Sequence, residues 1–227
     1  MEVDIPELLG NLGKKSDATD FVRAMSDSVL IAFYFLLRVG DYTVKCNRNE
    51  SKQTNQFKLE DCTFFSVNAL GQQRQLDRWA SDERILAAES ATLKLDNSKN
   101  GWKGVCVHQE KNGEKHNCPV KAIAWKYCYI RARSKSLKTF LSTYWTDGKQ
   151  SDVSDEDIRR NLKWAAATLD YPSTKGIPID RIDTHSLRSG GANALSLSGY
   201  SDREIQKWDD GREQYSRNTS ERSWHAS

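Results

Sequence analysis

The chain has 227 residues, enough for one large domain or two small ones, with 37% hydrophobic and 29% charged residues and a formal net charge of +3. No apolar run approaches the roughly 18 residues of a membrane span, and the acidic N-terminus lacks the basic-then-apolar order of a signal peptide. Five scattered cysteines argue against a secreted disulfide framework, so a reducing, intracellular setting is expected; the small positive charge permits a nucleic-acid partner without demanding one.

Taken in order, residues 1–19 read as a loose lead-in, with Asp17, Thr19 or Asp20 available to cap a helix beginning near Phe21. From Phe21 to Leu37 the apolar positions crowd together, and the second half is apolar nearly all round, as in a helix buried on most sides. That helix delivers Arg38-Val39-Gly40-Asp41-Tyr42-Thr43. An arginine at the end of so apolar a segment needs an anionic partner, Asp41 or another carboxylate. Gln56–Val67 reads as a strand, Ser81–Ala88 as a short helix, Ala91–Leu95 as a second strand and Val105–His108 as a third. Asp96-Asn97-Ser98-Lys99-Asn100-Gly101-Trp102-Lys103-Gly104 has strong turn chemistry, so the last two strands form a hairpin with Lys99 and Lys103 on or beside its turn.

Pro119 marks the first turn of a helix continuing through Arg131, and Asp147-Gly148 marks a turn. Ser154 with Asp157 three residues later is a capping-box pattern ahead of Ile158, Leu162, Ala165, Ala166 and Leu169, and Tyr171-Pro172 is expected to stop that helix. Residues 172–183 read as loop. The next helix spans His185 to Leu197, with Asp183 and Thr184 as N-cap candidates, Gly199 as terminator and Ser201 capping a further helix from Asp202. The expected class is α+β, mostly helical, with a small three-stranded antiparallel sheet.

His185 and Arg188 stand three apart and share a helix face. Gly190 and Gly191 follow, at about 1 kcal/mol each relative to alanine, so something is expected to approach the backbone closely there. A helix N-terminus with an arginine and an imidazole suits an anion. Together, Arg38, Lys99, His185 and Arg188, with no acidic metal cluster, describe a metal-free, cofactor-free phosphoryl-transfer site. Arginines clamp non-bridging oxygens, lysine protonates the leaving oxygen and histidine serves acid–base transfer.

The order and spacing of these segments resemble the catalytic domain of the tyrosine recombinases, the phage-integrase family, over roughly residues 20–207. "LLRVGDYT" resembles the first-arginine motif, with Arg38 as that arginine and Asp41 as the nearby acid. "NSKNGWKGVCV" resembles the lysine hairpin, best placed at Lys99 and less well at Lys103. "THSLRSGGANAL" is similar to the His-x-x-Arg box, and "NCPVKAIAWKY" to the start of the helix after the sheet. The likeness is closest to recombinases of eukaryotic mobile elements of the crypton type.

The resemblance implies a DNA breaking–rejoining fold and a DNA strand transferase active in integration or excision. It also implies double-stranded DNA as partner, contacted by Arg38, Lys99 and Arg188, with self-association on DNA, no membrane and nuclear residence in a eukaryotic host. The family's separate DNA-clamping domain has no counterpart in the roughly 20 residues ahead of the match.

The pattern breaks near the C-terminus. The family has a Gly-x-Trp/His segment after the signature helix and a nucleophilic tyrosine roughly thirty residues beyond the second arginine. Here the chain reads Lys207-Trp208-Asp209-Asp210-Gly211-Arg212 and then a polar segment whose one tyrosine, Tyr215, comes early and is a weak nucleophile candidate. Back-translation offers a cause. Read one nucleotide earlier, Trp208–Gly211 becomes Met-Gly-Arg-Trp, and Ser216–Ser220 becomes Phe-Lys-Glu-Tyr-Ile, placing a tyrosine in register with Thr219. Loss of one adenine at the Lys207 codon would produce the observed reading. Residues 208–227 are then expected to be a disordered tail, and the protein a catalytically impaired pseudoenzyme. Two alternatives stand beside this one. The first is a non-enzymatic DNA-binding remnant of a mobile element. The second is a zinc-stabilised interaction module using Cys106, His108, His116 and Cys118, a spacing unusual for structural zinc.

Overall fold

The computed structural model describes residues 4–44, 56–95 and 105–209. Its organising element is helix α2 (Asp20–Tyr34), in which every residue from Ala24 to Tyr34 is buried. Thr19 Oγ1 accepts the Val22 N–H at 3.3 Å and starts the helix. The polar residues on its buried surface are satisfied: Ser26 Oγ donates to Leu9 O at 2.6 Å, and Ser28 Oγ to Ala24 O at 2.8 Å.

The lead-in is not loose. Helix α1 (Asp4–Gly13) lies along α2 with Ile5 and Leu9 fully buried, and Tyr171 Oη donates to Asp4 Oδ1. Its spacing of Ile5, Leu8, Leu9 and Leu12 is the amphipathic stripe that secures it.

The apolar run from Phe21 is not helical through Leu37. It stops at Tyr34, and Leu36 takes a left-handed backbone with φ 52°. Leu37 N–H bonds Ala32 O at 3.0 Å and Leu36 N–H bonds Phe33 O at 3.4 Å, the paired closure of a Schellman motif with leucine where glycine is usual. Burial of Leu36 offsets a conformation costing roughly 1–2 kcal/mol. The turn releases the chain into α3 (Val39–Tyr42), for which Arg38 is the N-cap residue.

Among the described residues, six strands form two antiparallel sheets. β1 (Cys62–Val67), β2 (Gln73–Gln75), β3 (Ser90–Leu95) and β4 (Val105–Glu110) lie in the order β2-β1-β3-β4. The expected three-stranded sheet therefore has four strands, because the polar segment Gln73–Gln75 pairs with β1 as an edge that needs little apolar content. The expected hairpin pairing is present: Leu95 lies opposite Val105, and Thr92 opposite His108. β5 (Thr143–Thr146) and β6 (Lys149–Asp152) form a separate hairpin whose tip, Asp147-Gly148, has φ values of 50° and 75°. Between the sheets, Ser81 occupies the N-cap position of α4 (Asp82–Leu86) without a side-chain capping bond, and α5 (Pro119–Arg133) begins with Pro119 in its first turn.

Helix α6 (Asp155–Thr168) carries the expected capping box: Ser154 Oγ accepts the Asp157 N–H and Asp157 Oδ2 accepts the Ser154 N–H, each at 3.1 Å. Tyr171-Pro172 does not merely stop it but opens α7 (Tyr171–Lys175), since proline suits a first helical turn. The supposed loop 172–183 also holds a single 3-10 turn at Ile179–Arg181. Helix α8 (His185–Leu197) has the expected bounds and ends at Gly199, φ 87°. α9 (Asp202–Asp209) starts at a Ser201–Glu204 capping pair and runs two residues into the segment expected to be a polar tail.

Candidate anion site at the junction of two helices

Two distant segments meet at Asp41. Arg38 and Asp41 enter from the turn after α2, and Arg188 enters from α8, which packs on α2. The close approach foreseen at the glycine pair is real, but its partner is protein. A Cβ on Gly191 would sit 2.3 Å from Phe33 O and 2.6 Å from Leu36 Cδ2. Gly191 thus seats α8 directly on the C-terminal turn of α2, and it is this contact, not a bound phosphate, that requires the missing side chain.

Asp41 is buried. It accepts the Arg38 backbone N–H at 2.9 Å on Oδ2. Burial pushes its carboxyl above the usual carboxylate range; that hydrogen bond and the positive charges of Arg38 and Arg188 oppose the rise. The charges of both arginines thus act on one buried acid. Both are half-buried, so each keeps surface toward solvent.

His185 is exposed in the first turn of α8. The expectation that backbone N–H groups of this helix would receive an anion is corrected by Asp183. Its Oδ1 accepts the His185 N–H at 2.8 Å, and its own N–H donates to Ser186 Oγ at 3.2 Å. A carboxylate thus already takes the first N–H of the helix. Lys99 and Lys103 lie outside the described residues, as do Tyr215 and residues 210–227. The strands flanking the lysine segment are anchored close to the site's foundation: Gln109 Nε2 donates to Tyr34 O at 2.7 Å, joining β4 to the end of α2.

Tyr42, beside Asp41, was not anticipated from the sequence. Its hydroxyl is buried with no hydrogen-bond partner, and burial, reinforced by the charges of Asp41, Asp183 and Asp155, pushes its pKa up. Such a phenol is the opposite of an activated nucleophile and does not replace a missing catalytic tyrosine.

The proposed zinc ligands do not assemble. His108 Nδ1 lies 2.9 Å from Thr92 Oγ1 and Cys118 is buried as the N-cap of α5. Among the described residues no group of three His, Cys, Asp or Glu side chains could hold a metal ion.

No family model matches the chain, and neither a curated protein nor a solved structure matches it. The functional reading therefore stands on the residues and on their arrangement.

Proposed function

We propose that the chain is a tyrosine-recombinase-like DNA-binding protein of the integration and recombination type, impaired in catalysis because the attacking tyrosine is missing from its expected place. One observation carries the reading: Arg38 and Arg188, from opposite ends of the chain, act on the same buried carboxylate at a helix junction. Two guanidinium groups near one carboxylate suit the non-bridging oxygens of a phosphodiester. In this reading they hold the phosphate and stabilise charge developing on it in the transition state. His185, exposed one helical turn before Arg188, is assigned proton transfer at the same phosphate, and Lys99 the leaving oxygen. A tyrosine attacking phosphorus would form a phosphotyrosine bond and release a 5′-hydroxyl; without it, recognition remains and strand cleavage is lost.

A nicked suicide DNA substrate tests this. The expected result is salt-dependent binding with no covalent protein–DNA adduct. A trapped adduct would overturn the claim of impairment, and absence of DNA binding would overturn the reading as a whole. The nucleotide sequence at the Lys207 codon decides the origin of the break: a one-base shift must restore the Met-Gly-Arg-Trp reading, or the frameshift explanation fails.

A further inference from the structure

A second cluster of cations lies at the other end of α2. A cavity of about 490 Å³ opens between the end of α1, the N-terminal half of α2, α4 and α5. That volume is within the range of small-molecule sites. Its wall includes Lys126, whose side chain is buried and whose Nζ donates to Ala24 O at 2.9 Å. Ser28 Oγ already donates to that same carbonyl. An ammonium has three N–H donors, and this single shared acceptor leaves the group poorly compensated for its burial.

The other charges facing the cavity are largely committed. Asp27 is paired with Lys14 at 3.0 Å, Asp82 with Arg131 from behind the wall, and Asp20 accepts from Tyr129 Oη at 2.8 Å with Arg133 Nη2 at 3.9 Å. Arg23, exposed at the rim, donates only to the carbonyls of Ala18 and Ser16. Among the described residues, neither Arg23 nor Lys126 has a carboxylate at ion-pair distance. The cavity thus presents two cations without acids and, in the half-exposed indole of Trp125, a flat apolar wall.

We propose that this cavity binds a small organic carboxylate with a flat apolar body, its carboxylate on Lys126 with Arg23 at the rim and its ring against Trp125. The site is separate from the arginine junction and does not depend on the DNA reading. Burial lowers the Lys126 ammonium to about 8, with Asp27 and Asp152 opposing the shift and Lys14 adding to it. Carboxylate binding therefore weakens as pH rises through that value.

The test is calorimetric titration of the full chain with benzoate and, as its uncharged counterpart, benzyl alcohol. Benzoate is expected to bind more tightly than benzyl alcohol at pH 7, and its advantage to shrink at pH 9. Lys126→Met is expected to weaken benzoate about tenfold or more while leaving benzyl alcohol unchanged. Arg23→Gln, at an exposed position that leaves folding intact, is expected to weaken benzoate about two- to threefold. Equal affinity for the two probes, no binding of either, or benzoate binding indifferent to pH and to Arg23→Gln overturns the proposal, whether or not Lys126→Met folds.

Discussion

The two ends of helix α2 handle positive charge in opposite ways. At the C-terminal end, Arg38 and Arg188 lean on one buried carboxylate, Asp41, and the chain around them is fixed by short backbone contacts. At the N-terminal end, Lys126 and Arg23 bond only to carbonyl oxygens and face a cavity. An internal acid holds cations in a set geometry and keeps them half-neutralised until a stronger anion arrives. Cations resting on neutral carbonyls carry an unrelieved desolvation cost, which an anion from solution removes. The first arrangement suits recognition of a defined phosphate geometry. The second suits a ligand whose main contribution is its charge.

The strongest way to break the comparison is to separate α8 from α2. Gly191→Ala drives a methyl group against the Phe33 carbonyl, which is backbone and cannot swing away. A loss of about 3 kcal/mol or more in urea unfolding is expected, with loss of DNA binding, since overpacking of this kind forces main-chain shifts. A near-neutral result would show that α8 is not seated there. The cavity end should then be nearly untouched by the local change, and benzoate binding by the folded fraction should persist.

At the cavity end, Lys126→Met is expected to raise stability at pH 7, where the buried ammonium is charged, while leaving DNA affinity unchanged. The sign of its pH dependence follows from the lowered pKa. The folded lysine gives up its proton near pH 8, well before the unfolded one, so the wild-type chain gains stability as pH rises from about 8 toward 10. The gap between variant and wild type should therefore narrow between urea midpoints taken at pH 7 and pH 9. Comparison with the variant is needed because burial raises the Cys128 thiol and the Tyr34 phenol each to about 12. Those acids stay protonated longer in the folded chain, so their contribution falls as pH rises past their ordinary values. A gap independent of pH would contradict the placement of Lys126.

The smallest expected effect belongs to Asp183→Ala. Removing the cap on α8 should cost about 1 kcal/mol in thermal or urea unfolding. It also frees the His185 N–H, so binding of a DNA phosphate should hold or tighten slightly, where Asp183→Asn should change stability very little.

Elements whose instructions are local were legible in the sequence. The bounds of α8, the Ser154–Asp157 capping box and the Asp147-Gly148 turn each rest on side chains within a few positions. The end of α2 was not, because Leu36 adopts a left-handed conformation that its identity does not advertise; at α8 the same closure uses Gly199 and was read correctly. β2 was missed because its polar residues take their pairing from β1 rather than from their own pattern. At the site, Arg38, Asp41 and Arg188 were named from motif and chemistry, and the structure brings them together. The close approach at Gly191 was legible but its partner was not, since only tertiary packing reveals that Phe33 O occupies the space. Lys126 left a readable trace: it falls on the apolar stripe of α5 formed by Ala122, Ile123 and Ile130, where a lysine signals a buried ammonium.

The central claim is that Arg38 and Arg188 form one phosphate-binding unit on DNA. Its most direct test is equilibrium DNA binding of the wild-type chain, Arg38→Ala, Arg188→Ala and the double variant across a salt series. The account predicts that each single substitution weakens binding about tenfold and lowers the salt slope by about one. It predicts further that the double variant loses less than the sum of the two, because the arginines act as a pair. Wild-type binding that neither substitution weakens, or no salt-dependent binding at all, would contradict it.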